Sequence, residues 1–173
     1  MRMHWLFGVV LLASWLGAGC HQSATTLPPV TDESFSPTAA QPKLPTITLW
    51  VGPQKVTAEV ARTSRQLATG MMFRKEMGEN EGMLFVFGQP LRASFYMRNT
   101  TIPLSCAYID SDGVILEIHK LKPLDETPVE AASDLVRFVL EMPQGWFERH
   151  QVTIGAVVAA EDRSLRETFF GPQ

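Results

Sequence analysis

Alternation of hydrophobic and polar residues dominates the chain after residue 45, apart from a continuous apolar run at residues 83–87. A period of two places successive side chains on opposite faces of a β-strand, and a short apolar run is typical of a buried strand. The pattern predicts strands over residues 47–51, 56–61, 83–87, 93–97, 104–109, 114–119, 135–142 and 152–159. Gly52-Pro53 predicts a turn between the first two strands, and Asp110-Ser111-Asp112-Gly113 predicts a hairpin between two later ones.

Signals for helices are few. Thr63 or Ser64 can cap a short helix over residues 65–72, broken near Gly70, and residues 146–151 can form one or two helical turns. Long strand–helix–strand crossovers are absent, which argues against a doubly wound sheet. The pattern therefore predicts an α+β fold, mainly β: a single domain over residues 46–173, forming a closed or half-closed barrel with one or two short helices.

The N-terminus has the pattern of an export signal. A short basic start precedes an apolar run at residues 5–16, which is shorter than the roughly 20 residues that cross a bilayer. Small residues then precede Cys20, as in a lipoprotein signal. This predicts a signal peptide over residues 1–19 and a lipid on Cys20, with acyl chains that contribute about 0.8 kcal/mol per buried methylene. Gly17 stands where such signals usually have Leu, which leaves an ordinary signal peptide cleaved nearby as the alternative.

Residues 20–45 are rich in Ser, Thr, Pro, Ala and Gln, which predicts a flexible tether between the lipid and the domain. His21 follows the lipidated cysteine, and by analogy with enteric bacteria the absence of Asp there favours the outer membrane. The predicted location is an exported lipoprotein, held at the periplasmic face of a membrane or in the outer membrane.

The formal net charge of the whole chain is −3, and removal of Arg2 with the signal peptide makes the remainder more acidic. Such a balance argues against nucleic acid as a partner, because basic patches supply most of that attraction. The predicted partners are the membrane, through the lipid on Cys20, and a glycan, small molecule or protein of the envelope.

Residue types that carry chemistry are sparse. Cys20 and Cys106 do not form a disulfide framework, and Cys106 is predicted to be a buried, inert thiol within a strand. The histidines lack metal-binding spacing, and no nucleophile–base set, phosphate loop or dinucleotide fingerprint is present. The sequence thus predicts no catalytic residue, no metal and no cofactor.

Three ordered motifs occur between residues 70 and 104. They read Gly70-Met71-Met72-Phe73-Arg74, Glu81-Gly82-Met83-Leu84-Phe85-Val86-Phe87 and Ser94-Phe95-Tyr96-Met97-Arg98-Asn99-Thr100, followed by Ile102-Pro103-Leu104. With Tyr108-Ile109-Asp110, Val139-Leu140-Glu141 and Gly145, they resemble the domain of unknown function 192 family over roughly residues 55–158. The resemblance implies a compact, strand-rich, often exported domain, and it implies no known reaction.

The chain departs from the family's usual pattern at four positions. Tyr96 and Arg98 stand where the family has Trp and Lys, and both changes preserve the type of side chain. Ser105 stands where the family usually has Asp, and Ala156 follows Gly155 where the family tends to have Asp. An activity that rests on the first of those aspartates would lack its residue here.

Five residues of the motif region are candidates for ligand binding. They are Arg74, Tyr96, Arg98, Asn99 and Thr100. Arg74 can clamp a carboxylate or phosphate, or it can pair with an acid such as Glu81 or Glu141. Asn99 can shape a turn or point its amide into a pocket.

An aromatic shelf for a sugar ring is a further hypothesis. Tyr96 could form it together with Trp50 or Trp146, although aromatic residues of a small domain more often belong to the core.

Three functions remain open. The first is a non-catalytic ligand- or partner-binding module of the envelope, favoured by the anchor and the lack of a catalytic set. The second is a hydrolase or transferase acting on cell-wall or sugar substrates. The third is a structural accessory of an envelope complex.

Overall fold

The structure is a computed structural model, and it describes residues 35–171. The predicted signal peptide, the lipidation at Cys20 and the first part of the tether lie outside these residues. The elements run in the order β1 (Thr46–Val51), β2 (Gln54–Ala61), α1 (Ser64–Thr69), β3 (Glu81–Leu91), β4 (Ser94–Phe95), β5 (Leu104–Ile109), β6 (Ile115–Leu121), β7 (Val129–Glu130), β8 (Val136–Pro143), α2 (Trp146–Arg149), β9 (Val158–Ala160) and α3 (Leu165–Phe170).

Seven of the strands form one sheet with the order β6-β5-β8-β3-β2-β1-β9. Neighbours pair antiparallel except β2 and β3, which are parallel and joined by a short crossover that contains α1. The two edges of the sheet meet at one end, where Val114 forms a bridge with Val157 and the Val158 amide donates to the Gly113 carbonyl at 2.8 Å. The sheet is therefore a curled half-barrel, which confirms the predicted mainly-β fold.

Most predicted strands are present, with two differences. The strand predicted over residues 152–159 is wrong for most of its length, because residues 151 and 155 have positive φ and only residues 158–160 pair with β1. Of the strand predicted over residues 93–97, only β4 is present. It lies outside the large sheet and pairs with β7. Helix α3 begins at a capping box between Ser164 and Glu167, a signal that lies within the tail for which the sequence pattern predicts no element.

Both faces of the sheet are covered. Side chains from β6 and β9, at opposite ends of the strand order, meet in one core together with Trp146 and Phe147, so this core fills the concave face. A second core covers the convex face, where side chains of β3, β5 and β8 pack with Leu67 of α1, Met71, Ala93 and Met97. Strands buried on both faces explain why all six residues of β5 are buried.

Residues from Phe35 onward pack against the domain, although they precede the first strand. The guanidinium of Arg65 lies 4.5 Å from the centre of the Phe35 ring, and Gln41 Nε2 donates to the Gly70 carbonyl at 2.9 Å. The Leu44 amide donates to Glu59 Oε2 at 2.7 Å. The predicted boundary at residue 46 thus marks the start of β1, while the end of the predicted tether lies against α1 and β2. Between residues 35 and 171 no helix has the length and apolar character needed to cross a bilayer.

Candidate ligand-binding site

A pocket of about 410 Å³ lies on the convex side of the half-barrel, between α1, the turn that follows it, β4 and β8. We call it the Glu141 pocket. Its walls include Leu67, Met71, Met72, Phe85, Phe95, Tyr96, Thr100 and Glu141. Within the described residues, Glu141 is the only acidic or basic side chain on these walls, and apolar and aromatic groups form most of the rest.

Glu141 occupies a strand position where an apolar residue is usual. Its register partners are Met83 on β3 and Cys106 on β5, and its side chain is only 4% exposed. Its Oε2 atom is buried and has no hydrogen-bond partner among the described residues. Burial raises the pKa of this carboxyl to about 8, because the charged form loses its hydration. The pocket therefore contains an unsatisfied carboxyl group.

The groups beside Glu141 on β5 are neutral. Burial raises the pKa of the Cys106 thiol, and the nearby Glu141 carboxyl adds to the effect, so Cys106 is a buried thiol rather than a reactive thiolate. Burial also raises the pKa of Tyr108, whose hydroxyl donates to the Val129 carbonyl. A thiol and a phenol are either neutral or negative, so neither group can serve as a counter-charge to Glu141.

The structure brings two of the five predicted binding residues to this pocket. Tyr96 is 39% exposed at its mouth, and Thr100 is buried in its wall, with its hydroxyl donating to the Arg98 carbonyl at 3.1 Å. Arg98 itself is exposed and forms an ion pair with Glu126 at 2.8 Å, with its guanidinium 5.3 Å from the Tyr96 ring centre.

Asn99 lies at a turn between these residues. Its φ of +54° is in the left-handed region, which Asn tolerates better than most residues, and its carbonyl accepts a hydrogen bond from the Phe73 amide at 2.8 Å. This geometry agrees with the alternative in which Asn99 shapes a turn. Alanine at this position would strain the backbone, which makes Asn99→Ala a poor probe of binding.

Arg74 lies apart from the Glu141 pocket, in a second pocket of about 590 Å³. Its Nη2 atom pairs with Glu59 Oε2 at 2.8 Å and also donates to the Pro42 carbonyl at 3.2 Å. The pairing with an acid agrees with the structural alternative, but the acid is Glu59 rather than Glu81 or Glu141. Glu59 on β2 lines the same pocket as Arg74, while Glu81 accepts from the Gly78 amide.

The prediction that Trp146 contributes to an aromatic shelf is wrong. This residue is fully buried in the concave core, and its indole Nε1 donates to Asn80 Oδ1 at 3.1 Å. Trp50 is 38% exposed on β1, but it is not among the residues of the Glu141 pocket. Tyr96 instead shares the pocket with Phe85 and Phe95, whose rings pack edge to face at 4.9 Å.

Ser105 has a structural role in place of the aspartate expected from the family pattern. It is completely buried, and its Oγ accepts a hydrogen bond from the Gly145 amide at 3.1 Å, directly before α2. An aspartate could accept the same bond, so the departure preserves this contact. Ala156 lies at the closure of the half-barrel, where its carbonyl accepts from the Ile115 amide.

Glu141 is not among the residues that the sequence predicts for binding. Its signals in the sequence are its place in the Val139-Leu140-Glu141 motif and a carboxylate next to Met142 in a strand that is otherwise largely apolar. Within the described part of the chain, no group of three or more His, Cys, Asp or Glu side chains has an arrangement that could hold a metal ion.

The fold and the pocket define a small half-barrel domain, mainly β, with a carboxyl-containing pocket on its convex face. The chain belongs to the family described as uncharacterised ACR, the domain of unknown function 192, whose model matches residues 47–160. This match confirms the resemblance predicted from the motifs. A comparison with curated proteins finds no match.

Two solved structures are similar. A protein of unknown function from Novosphingobium aromaticivorans DSM 12444 is 35% identical, with a TM-score of 0.64 over 72% of this chain and 93% of that one. A candidate transcription regulator from Sinorhizobium meliloti 1021 is 28% identical, with a TM-score of 0.67 over 70% of this chain and 98% of that one.

Proposed function

We propose that this protein is a lipid-anchored binding module of the cell envelope that holds a small ligand in the Glu141 pocket without chemical change. One observation carries the proposal: Glu141 Oε2 is buried beside the pocket without a hydrogen-bond donor. A buried polar group left unpaired costs about 1–3 kcal/mol, and more when it is charged. A ligand that supplies the donor would recover this free energy on binding.

The walls of the pocket suit such a ligand. Sites for small molecules usually measure roughly 300–1,000 Å³ and combine apolar walls with a few polar groups that fix orientation. The Glu141 pocket has about 410 Å³, with aromatic and methionine side chains around one carboxyl. The apolar part of a ligand would be held by Phe85, Phe95 and the two methionines, and Glu141 would orient its polar end.

Catalysis is the second candidate, and the same residue favours it. A carboxyl with a pKa near 8 is protonated at neutral pH and could act as a general acid. Hydrolysis or group transfer also needs a second group, such as a nucleophile with its base. Among the described residues of the pocket walls, no histidine, cysteine or second carboxylate accompanies Glu141. We therefore place binding ahead of catalysis.

Regulation of transcription through DNA is not proposed. That description belongs to the neighbour from Sinorhizobium meliloti. The formal net charge of −3 in this chain gives no general attraction to a polyanion, and such attraction supplies most non-specific DNA binding.

The anchor is tested by replacing the cysteine that would carry the lipid. Cells that produce the Cys20→Ser chain in the presence of an alkyne-labelled fatty acid are expected to show no label on the protein, because the thiol that accepts the diacylglycerol is missing. The Cys106→Ala chain is the matched control and should keep the label, because Cys106 is buried in the domain. Equal labelling of the wild type and the Cys20→Ser chain would contradict the anchor.

The pocket is tested by filling its mouth. Ala68 is exposed on α1 and lines the pocket, so Ala68→Trp should occlude it without disturbing the core. Phenethylamine, phenethyl alcohol and 3-phenylpropionate share one apolar body, the phenethyl group, and serve as probes. They are titrated calorimetrically into the full lipidated chain in nanodiscs. We expect at least one probe to bind saturably to the wild type, and at least tenfold more weakly to Ala68→Trp.

The control for this test is Ala132→Trp, which adds the same side chain at an exposed position outside the pocket. Its affinity should equal that of the wild type. If no probe binds, or if both tryptophan variants bind as the wild type does, the proposed function is wrong.

A further inference from the structure

The walls of the Glu141 pocket carry charge of one sign only. In the described part of the chain, the pocket walls hold one carboxyl and no lysine, arginine or histidine. The aromatic rings of Phe85, Phe95 and Tyr96 surround the same space, and the faces of aromatic rings carry partial negative charge that attracts cations. Met71 and Met72 add polarizable sulfur atoms without charge. Every charged or quadrupolar feature of the walls therefore favours a positive group.

We propose that the ligand is a small organic cation, an amine whose ammonium group pairs with Glu141 while its apolar body packs on the aromatic and methionine side chains. This inference rests on the proposed function, because it names the chemical class of ligand for the same pocket. It deepens that proposal by giving Glu141 Oε2 its missing partner.

An ammonium group fits better than a neutral donor. A hydroxyl or amide could form a hydrogen bond with the protonated carboxyl, but it would add no attraction between charges. An ammonium stabilises the ionised carboxylate and forms a charge-assisted hydrogen bond with it, which is the stronger interaction. An ammonium supplies three donors and a full positive charge at one point. It can therefore satisfy Oε2 and neutralise the carboxylate in one contact.

Among the described residues, an anionic ligand would find no free basic group at the aromatic wall of the pocket. Arg98 lies outside the pocket over the Tyr96 ring and is already paired with Glu126 at 2.8 Å. Farther along the convex side, Glu117 is also occupied, because its carboxylate pairs with His119 at 2.9 Å and accepts from the Ala132 amide at 2.8 Å. Glu141 is thus the acid that remains for an incoming cation.

Binding of a cation should displace the proton of Glu141. Burial keeps this carboxyl protonated at neutral pH, with a pKa of about 8, and a nearby ammonium would stabilise its ionised form. Cys106 and Tyr108 face the same layer from β5, and both stay neutral because burial raises their pKa values. Proton release on binding is therefore a signature that a neutral ligand cannot give through Glu141.

The experiment compares the three phenethyl probes, which differ only in carrying an ammonium, a hydroxyl or a carboxylate. They are titrated into the full lipidated chain in nanodiscs and into Glu141→Gln, a variant of nearly equal shape that cannot ionise. We expect phenethylamine to bind the wild type at least tenfold more tightly than phenethyl alcohol. We expect this preference to vanish in Glu141→Gln. At about pH 7 the wild-type enthalpy with the amine should depend on the ionisation enthalpy of the buffer, because a proton is released.

The outcomes separate this inference from the function on which it rests. If phenethyl alcohol or 3-phenylpropionate binds as tightly as the amine and Ala68→Trp blocks it, the pocket is a binding site but the cation assignment is wrong. If the amine preference persists in Glu141→Gln, or if amine binding to the wild type releases no proton, Glu141 does not pair with the cation. If none of the three probes binds, the proposed function itself fails. Measurement of proton release by the wild type tests the pairing with Glu141 even if Glu141→Gln does not fold.

Discussion

The Gly113→Ala chain is expected to lose about 3 kcal/mol or more of unfolding free energy, because two costs combine at this position. The φ of Gly113 is +85°, which an alanine adopts only with strain. A Cβ at residue 113 would also overlap the carbonyl oxygen of Val158. The same Gly113 accepts the Val158 amide where the two edges of the sheet meet, so the added methyl group would push the closure of the half-barrel apart.

Gly52→Ala is the matched control for this prediction. Gly52 also lies in a hairpin turn, with φ of +57°, but a Cβ there would meet no atom within 4 Å. We expect Gly52→Ala to cost only the backbone strain of about 1–2 kcal/mol. Urea unfolding of the full chain followed by circular dichroism measures both losses, with an unchanged slope showing that the unfolded states are comparable. Equal losses of unfolding free energy in the two variants would contradict the prediction, because they would show that a Cβ at residue 113 does not disturb the closure of the half-barrel.

Glu141 is expected to make the fold less stable as the pH rises from about 5 to above 8. Burial raises the folded pKa of this carboxyl from its usual 4.5 to about 8, so between these values the folded chain keeps a proton that the unfolded chain has released. The stability contributed by that proton is complete below the unfolded pKa and is lost as the pH rises through the folded pKa. At 1.36 kcal/mol per pKa unit, the loss is on the order of 5 kcal/mol.

Glu141→Gln isolates this effect, because glutamine cannot ionise. Relative to the wild type, the variant should gain stability steadily as the pH rises over that range. Met83, Thr69 and Thr100 around the carboxyl carry no charge, and Cys106 and Tyr108 remain neutral because burial raises their pKa values. Glu117 and His119 are the same in both chains, so their effects cancel in the difference. Urea unfolding at matched pH values checks the prediction, and a difference that does not change with pH would contradict it.

Much of the fold follows from local signals in the sequence. Gly52-Pro53 and Asp110 to Gly113 each join two strands as predicted, because turn residues with special backbone angles fix a hairpin through neighbouring residues alone. The cap at Thr63 is equally local: its side chain accepts from the Gln66 amide, and that residue's side chain accepts from the Thr63 amide. Such signals involve residues a few positions apart and do not depend on the rest of the fold.

The sequence pattern predicts less of the binding site. Tyr96 and Thr100 reach the Glu141 pocket, but Arg74 pairs with Glu59 in another pocket, and Arg98 pairs with Glu126 on the surface. These partners come from distant parts of the chain. The pattern along one strand cannot reveal which residue from another strand or loop will lie opposite.

The sequence by itself determined the family, the hairpins, the capped helix α1 and the mainly-β character, because periodicity and turn chemistry act over short distances. Only the tertiary structure decided the parallel pairing of β2 with β3, the meeting of the sheet edges and the burial of Glu141. The alternation along β8 shows which residues share a face with Glu141. Whether that face meets solvent or a covering segment depends on where α1, the turn after it and residues 93–100 pack, which is a matter of long-range packing.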